Sequence, residues 1–310
     1  MRRVLFLLFV AILIISSLSF GAQGAQKEVT VLTPYLASVT TNAMIRAFEE
    51  FAKKEGWKVT IIDTKGDFGS LANRWEDVIA QKVDAIVMGM GDPNQLKKQI
   101  RMANEAGIPI FGGDADYIEG MVCNVTSNNY VLSAQITSYL FNSLEGKGNV
   151  VKFYHSAHPG VRKREIIFDA IAASNPGIKV IAEHFVQVPG PIEDAKKAME
   201  SILLAHPKKG EIDAVWAAWD EPAIGAALAI IEAGRQDEII VTGIDGNEQA
   251  LEMIKKDSPI KATVKQDFIE MARILVEQIK KVFAGREISE KIIYAPSPLI
   301  TKSNINDYLQ

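Results

Sequence analysis

The chain has one cysteine, four histidines and no strongly basic block in its 310 residues. A single cysteine excludes an internal disulfide. Cys123 sits in an apolar run, Met121 to Val125, and reads as a small buried hydrophobe. HExxH and CxxC are both missing, and with them the commonest zinc patterns. G-x-S-x-G and the P-loop are missing too, which removes two frequent hydrolase signatures. Gly89-Met90-Gly91 runs on into Asp92-Pro93-Asn94 and lacks the third glycine of a dinucleotide fingerprint; the charge of Asp92 would also repel a pyrophosphate. His155 and His158 alone lie close together, and they read as a polar strand-end loop rather than a metal pair. Lys and Arg number 34 against 38 Asp and Glu, so the formal charge is −4. That balance argues against a nucleic-acid partner.

The chain opens with the pattern of a secretory signal peptide, residues 1–24. Arg2-Arg3 is followed by an apolar run from Val4 to Ile15, then by small and polar residues up to Gly24. The run is short for a membrane span of about 20 residues. No cysteine lies near the cleavage region, which speaks against a bacterial lipid anchor. The rest is ordinary for a globular protein at 48% hydrophobic and 23% charged, and is long enough for one large or two medium cores.

One stretch organises the remainder. Ile212 to Trp216 is a short apolar run, the pattern of a strand buried on both faces. Pro222 suits the first turn of an Ala-rich helix that Gly234 ends. A second buried run, Glu238 to Val241, leads to Gly243-Ile244-Asp245-Gly246. Strand, helix, strand predicts a βαβ unit and a parallel sheet. Both strands end in an acid, Asp220 and Asp245, and ligands of open α/β sheets bind off such ends. Val83 to Asp114 repeats the pattern, with Ala106-Gly107 matching Ala233-Gly234 and Asp114 matching Asp245. Two related lobes with facing rims would form a cleft.

Elsewhere strands are expected at Glu28–Leu32, Lys58–Ile62, Val122–Val125, Asn149–Tyr154, Lys179–Phe185 and Ile260–Lys265. Helices are expected around Met44–Phe51 and Leu71–Ile79, and over Val131–Leu144, Arg162–Ala173, Asp194–Ala205, Gln249–Lys256 and Asp267–Phe283. Thr33 to Thr41 reads as a polar loop.

In this order and spacing, several segments resemble the periplasmic sugar-binding proteins of the ribose and galactose/glucose type that serve ABC transporters. They are Ala106 to Ile110 leading to Asp114, Ser127-Asn128-Asn129, Arg162 to Glu165, Ala205-His206-Pro207, Val241 to Gly246, and Ala262 to Gln266. The similarity runs from about 26 to 302. It implies an α/β architecture, the type I periplasmic binding protein fold: two Rossmann-like αβα lobes with parallel sheets, joined by three hinge crossings near Asn128, Gln266 and Ile293. The lobes would be 26–128 plus 267–293, and 129–266 plus 294–310. The sensor halves of LacI-type repressors share these motifs, but only the leader and a few residues precede Val29, so no helix-turn-helix fits. The resemblance further implies a periplasmic monomer without enzyme activity, cofactor or metal. Its partners would be a small sugar or polyol and a membrane permease.

The resemblance assigns the ligand to Asp114 in the first lobe, to Arg162 (with Arg164 as the alternative) and Asp245 in the second, and to Gln266 at a crossing. Asn128 would serve as a hinge more than as a contact. Thr40 and Thr41 stand where the ribose type has paired aromatics, Ala115 where it has arginine, and Trp219 where many relatives have asparagine. These departures point away from ribose towards a hexose, cyclic polyol or other hydroxyl-rich ligand stacked on Trp219. His158 and Asp220 complete the candidates. A second reading, a glycoside hydrolase using Asp220 and Asp245 as its carboxylate pair, follows from their shared rim; a chemosensory partner or a furanosyl or nucleoside ligand are further alternatives.

Overall fold

The computed structural model describes residues 26–309, so the expected signal peptide lies outside the described residues. The first part of the chain alternates strand and helix: β1 (Glu28–Thr33), α1 (Val39–Lys54), β2 (Lys58–Asp63), α2 (Phe68–Ala80), β3 (Ala85–Gly89), α3 (Lys97–Glu105), β4 (Ile110–Gly113) and β5 (Cys123–Thr126). The second repeats the cycle: α4 (Asn129–Ser143), β6 (Gly148–Tyr154), α5 (Pro159–Ala173), β7 (Ile178–Phe185), α6 (Pro191–Ala205), β8 (Ala214–Ala217), α7 (Asp220–Glu232), β9 (Ile240–Asp245), α8 (Glu248–Lys255) and β10 (Ile260–Lys265). α9 (Phe268–Phe283), β11 (Ile292–Tyr294) and β12 (Leu299–Thr301) follow.

Two six-stranded sheets result, ordered β11-β5-β4-β3-β1-β2 and β12-β10-β9-β8-β6-β7. Every pairing is parallel except β10 with β12. The expected repeat is real: β3–α3–β4 and β8–α7–β9 hold equivalent places in the two sheets. The chain passes between sheets three times, at Ser127-Asn128, at Gln266-Asp267, and between Tyr294 and Leu299. The last crossing begins after Tyr294, because that residue still pairs with Thr126 in the first sheet.

Burial explains the strand sequences. β3, β4 and β8 are buried at every residue because helices cover both faces. In the first lobe, α1 and α9 cover one face with Met44, Phe48, Met271 and Leu275, while α2 and α3 cover the other with Trp75, Val78 and Ile100. The second lobe has one continuous core in which Trp216 stacks against Phe168 and donates its Nε1–H to Thr137 Oγ1 at 3.1 Å. α6 and α7 approach closely at Gly225, where an added Cβ would lie 2.2 Å from the Ile192 carbonyl oxygen. Cys123 is fully buried in the first core, as expected, and burial pushes its thiol pKa up to about 12.

Candidate functional site: the interlobe cleft

The carboxyl ends of both sheets face one cavity. Tyr35 lies just beyond β1, Met90 beyond β3 and Asp114 beyond β4; His155 follows β6, Trp219 follows β8, and Asp245 ends β9. Three of these have positive φ without being glycine: Met90 (56°), Asp114 (48°) and Asp245 (136°). Such backbone costs on the order of 1 kcal/mol per residue. Its concentration at the strand ends turns these side chains out of the sheets and into the cleft.

Arg164 anchors the second lobe's side. It is 2% exposed; its Nε donates to Asn129 Oδ1 and its Nη1 to the Ala218 carbonyl, both at 2.7 Å. Nη1 also stands 3.7 Å from Asp245 Oδ1, which accepts from Gln266 Nε2 at 2.7 Å. The other amide atom, Gln266 Oε1, is buried and has no hydrogen-bond partner among the described residues. Asp114 Oδ1 accepts from Thr126 Oγ1 at 2.6 Å. Burial pushes the Asp114, Glu221 and Asp245 carboxyls above the usual range; the nearby Arg164 charge moderates the rise at Asp114 and Asp245, and the hydroxyl of Ser38 moderates it at Glu221.

Their partners place the ring protons of the two histidines, and burial lowers the pKa of both. His158 Nδ1 faces the backbone N–H groups of Gly160 and Val161, so it accepts and caps α5. The proton therefore sits on Nε2, which donates to the Asp114 carbonyl across the lobe junction at 3.1 Å. Burial first, then the Arg164 charge, lowers its pKa to about 3. His155 Nδ1–H donates to the Val186 carbonyl, leaving Nε2 to accept from the Tyr35 hydroxyl at 3.3 Å. Ser38 Oγ, at the start of α1, donates across the cleft to Glu221 Oε2 at 2.5 Å. The lobes are thus closed on each other.

Of the candidates read from sequence, the structure brings Asp114, Trp219, Asp245, Gln266, Thr40, Thr41 and His158 into the cavity wall. Thr40 and Thr41 belong to the first turn of α1 and not to a loop. Three candidates lie elsewhere. Arg162 is outside the cavity: its Nη1 donates to the Ser156 and Ala157 carbonyls and its Nη2 to Asp92 Oδ2. Two residues along a helix turn by about 200°, so Arg162 and Arg164 cannot both face the cleft. Asp220 is fully buried beneath it, accepting from Thr263 Oγ1 and Asn247 N, each at 2.8 Å. Asn128 caps α4, its Oδ1 accepting from Val131 N, beside the first crossing. Sequence reasoning missed Tyr35, Ser38, Met90 and Glu221. Position just past a strand end was the available signal for Tyr35 and Met90.

Comparison with known proteins matches this geometry. The sequence profile of the periplasmic binding protein domain matches residues 29–287. The chain belongs to the periplasmic binding protein family. The ribose import binding protein of Bacillus subtilis strain 168 is 30% identical over 279 residues, 88% of this chain and 85% of that protein. An ABC transporter solute-binding protein from Agrobacterium vitis, solved with bound allitol, superposes with a TM-score of 0.85 at 27% identity, covering 91% of this chain and 97% of that one. One from Bacillus halodurans C-125 with bound myo-inositol gives a TM-score of 0.82 at 25% identity, covering 91% and 97%. The two α/β lobes of this periplasmic binding protein are those of the type I fold.

Proposed function

We propose that the protein captures a sugar or polyol between its lobes and delivers it to the permease of an ABC transporter. The observation that carries this reading is the closed cleft in which Asp114 from one lobe meets Arg164 and Asp245 from the other, beside an unpaired Gln266 oxygen. Paired planar groups of this kind hold vicinal hydroxyls, and aromatic rings such as Trp219 cover the C–H faces of a ring. Ligand contacts to both lobes would stabilise the closed form over the open one. The family and the named relatives support the reading, since they include ribose, allitol and myo-inositol binders.

The protein would act as a monomer outside the cytoplasmic membrane, without a cofactor and without chemistry on its ligand. Among the described residues no helix is long and apolar enough to cross a membrane, and no group of His, Cys, Asp and Glu has the arrangement of a metal site. A hydrolase pair of Asp220 and Asp245 gains no support, because the Asp220 carboxylate is bonded within the protein.

The test is a thermal-shift screen against pentoses, hexoses, alditols, inositols and nucleosides, joined to mass spectrometry of the denatured protein for a carried ligand. A ligand at 100 times its Kd should add about 2.7 kcal/mol of stability. Absence of both a hit and a carried polyol would overturn the proposal.

A further inference from the structure

The N-terminus of α1 is completed by the other lobe. Five helices are capped from within: the side chains of Asp67, Asn128, His158, Asn247 and Asp267 accept from backbone N–H groups in the first turns of α2, α4, α5, α8 and α9. α1 has no such cap. Its N-cap residue, Ser38, makes no side-chain bond to the helix, and its first turn holds no acid. Thr40 and Thr41 in that turn are buried, so N–H groups left there without a partner would be costly.

Glu221 fills the gap from the second lobe. It is 3% exposed. Its Oε2 accepts from Ser38 Oγ at 2.5 Å and from Trp219 Nε1 at 3.3 Å, and the Val39 N–H is bonded to the same carboxylate. Three donors face it, which suits the ionised form. Val39 is the first residue of α1, and Glu221 belongs to the first turn of α7. The carboxylate therefore stands between two helix N-termini, each of which favours a negative charge.

We propose that Glu221 is a positioning residue for ligand capture: it caps α1 across the cleft, so that closing the lobes completes that helix and sets the Trp219 ring against the ligand. The proposal rests on the reading of the cleft as a ligand site that closes. Donors of the protein itself already meet the carboxylate. Glu221 therefore acts on every ligand through closure and does not recognise a particular one.

Spin labels on Arg101→Cys and Ala170→Cys, exposed helix positions in the two lobes, read the closed fraction. The protein is first freed of any carried ligand, and ribose, allitol and myo-inositol serve as probes. Glu221→Ala should lower the ratio of closed to open form about tenfold in the free protein and weaken every probe that binds by a similar factor. Glu221→Gln, which keeps an acceptor without the charge, should lie between. Ser38→Ala should add little once Glu221 is replaced by alanine. Equal closed fractions in wild type and a folded Glu221→Ala protein, free and with each probe, would overturn the inference. So would a loss of affinity confined to one of several probes that bind, which would make Glu221 a ligand contact. If no probe binds and no polyol is carried, the polyol reading falls, while the closed fractions of the free proteins still decide the role of Glu221.

Discussion

Asp92 of the first lobe and Arg162 of the second are joined by a 2.6 Å ion pair that bridges the lobes without lining the cavity. Each partner is held on its own side. Asp92 Oδ1 accepts from Asn94 N, and Arg162 Nη1 is fixed by the Ser156 and Ala157 carbonyls. The pair exists only when the lobes meet, so it weights the open–closed equilibrium directly.

Asp92→Asn and Arg162→Met should therefore weaken ligand binding although neither residue lines the cavity. The Arg162 side chain is 35% exposed, so solvent screens the pair and about 1 kcal/mol is expected, roughly fivefold in Kd. Calorimetry gives the affinity, and small-angle scattering of the free protein should show a larger radius. Unchanged affinity and radius in both variants would remove the latch.

Arg164 should behave differently. Arg164→Met leaves Asp245 and Asp114 buried without their cation, so stability should drop by about 3 kcal/mol and binding by a hundredfold or more. Arg164→Lys should restore little, because an ammonium cannot reproduce bonds to both Asn129 and the Ala218 carbonyl. Urea titration and calorimetry on the two variants check this; near-normal binding by the methionine variant would return the ligand arginine to another position.

The neutral state of His158 makes stability depend on acid. Its folded pKa is about 3, below the unfolded value near 6.5. Between those values the unfolded chain binds the extra proton, so the contribution is complete above pH 6.5 and is lost as the pH falls towards 3. His158→Asn keeps a capping oxygen but cannot titrate. The melting-temperature difference, wild type minus variant, should shrink between pH 7 and pH 4; a constant difference would show that His158 takes up its proton as readily in the folded protein as in the unfolded chain.

Gly225→Ala should test the contact between α6 and α7. The new methyl group would meet the Ile192 carbonyl oxygen, a backbone atom that cannot swing aside. A loss of about 1–3 kcal/mol is expected, read as a lower melting temperature with little change in ligand affinity.

Much of this architecture was legible because helices and strands bury regular faces. The β3–β4 and β8–β9 units, with Asp114 and Asp245 at their ends, follow from short apolar runs and the strand-end rule. What escaped depends on helix phase and docking. Asp220 and Glu221 are adjacent acids, and sequence favoured the first as the rim residue. The start of α7 turns Asp220 down to Thr263 and Asn247 and leaves Glu221 facing Ser38. The same ambiguity exchanged Arg162 for Arg164. Tyr35 was hidden in a segment read only as polar, since its partner His155 is supplied by the other lobe.

The three crossings also order the protein's assembly in time. The first sheet waits for β11 and the second for β12, and both strands are made only after the other ten. A chain emerging from the ribosome therefore lacks the edge strand β11 until synthesis has passed Tyr294, and β12 until it has passed Thr301. Neither sheet can therefore hold its full set of strands before the C-terminal segment of the chain has been made.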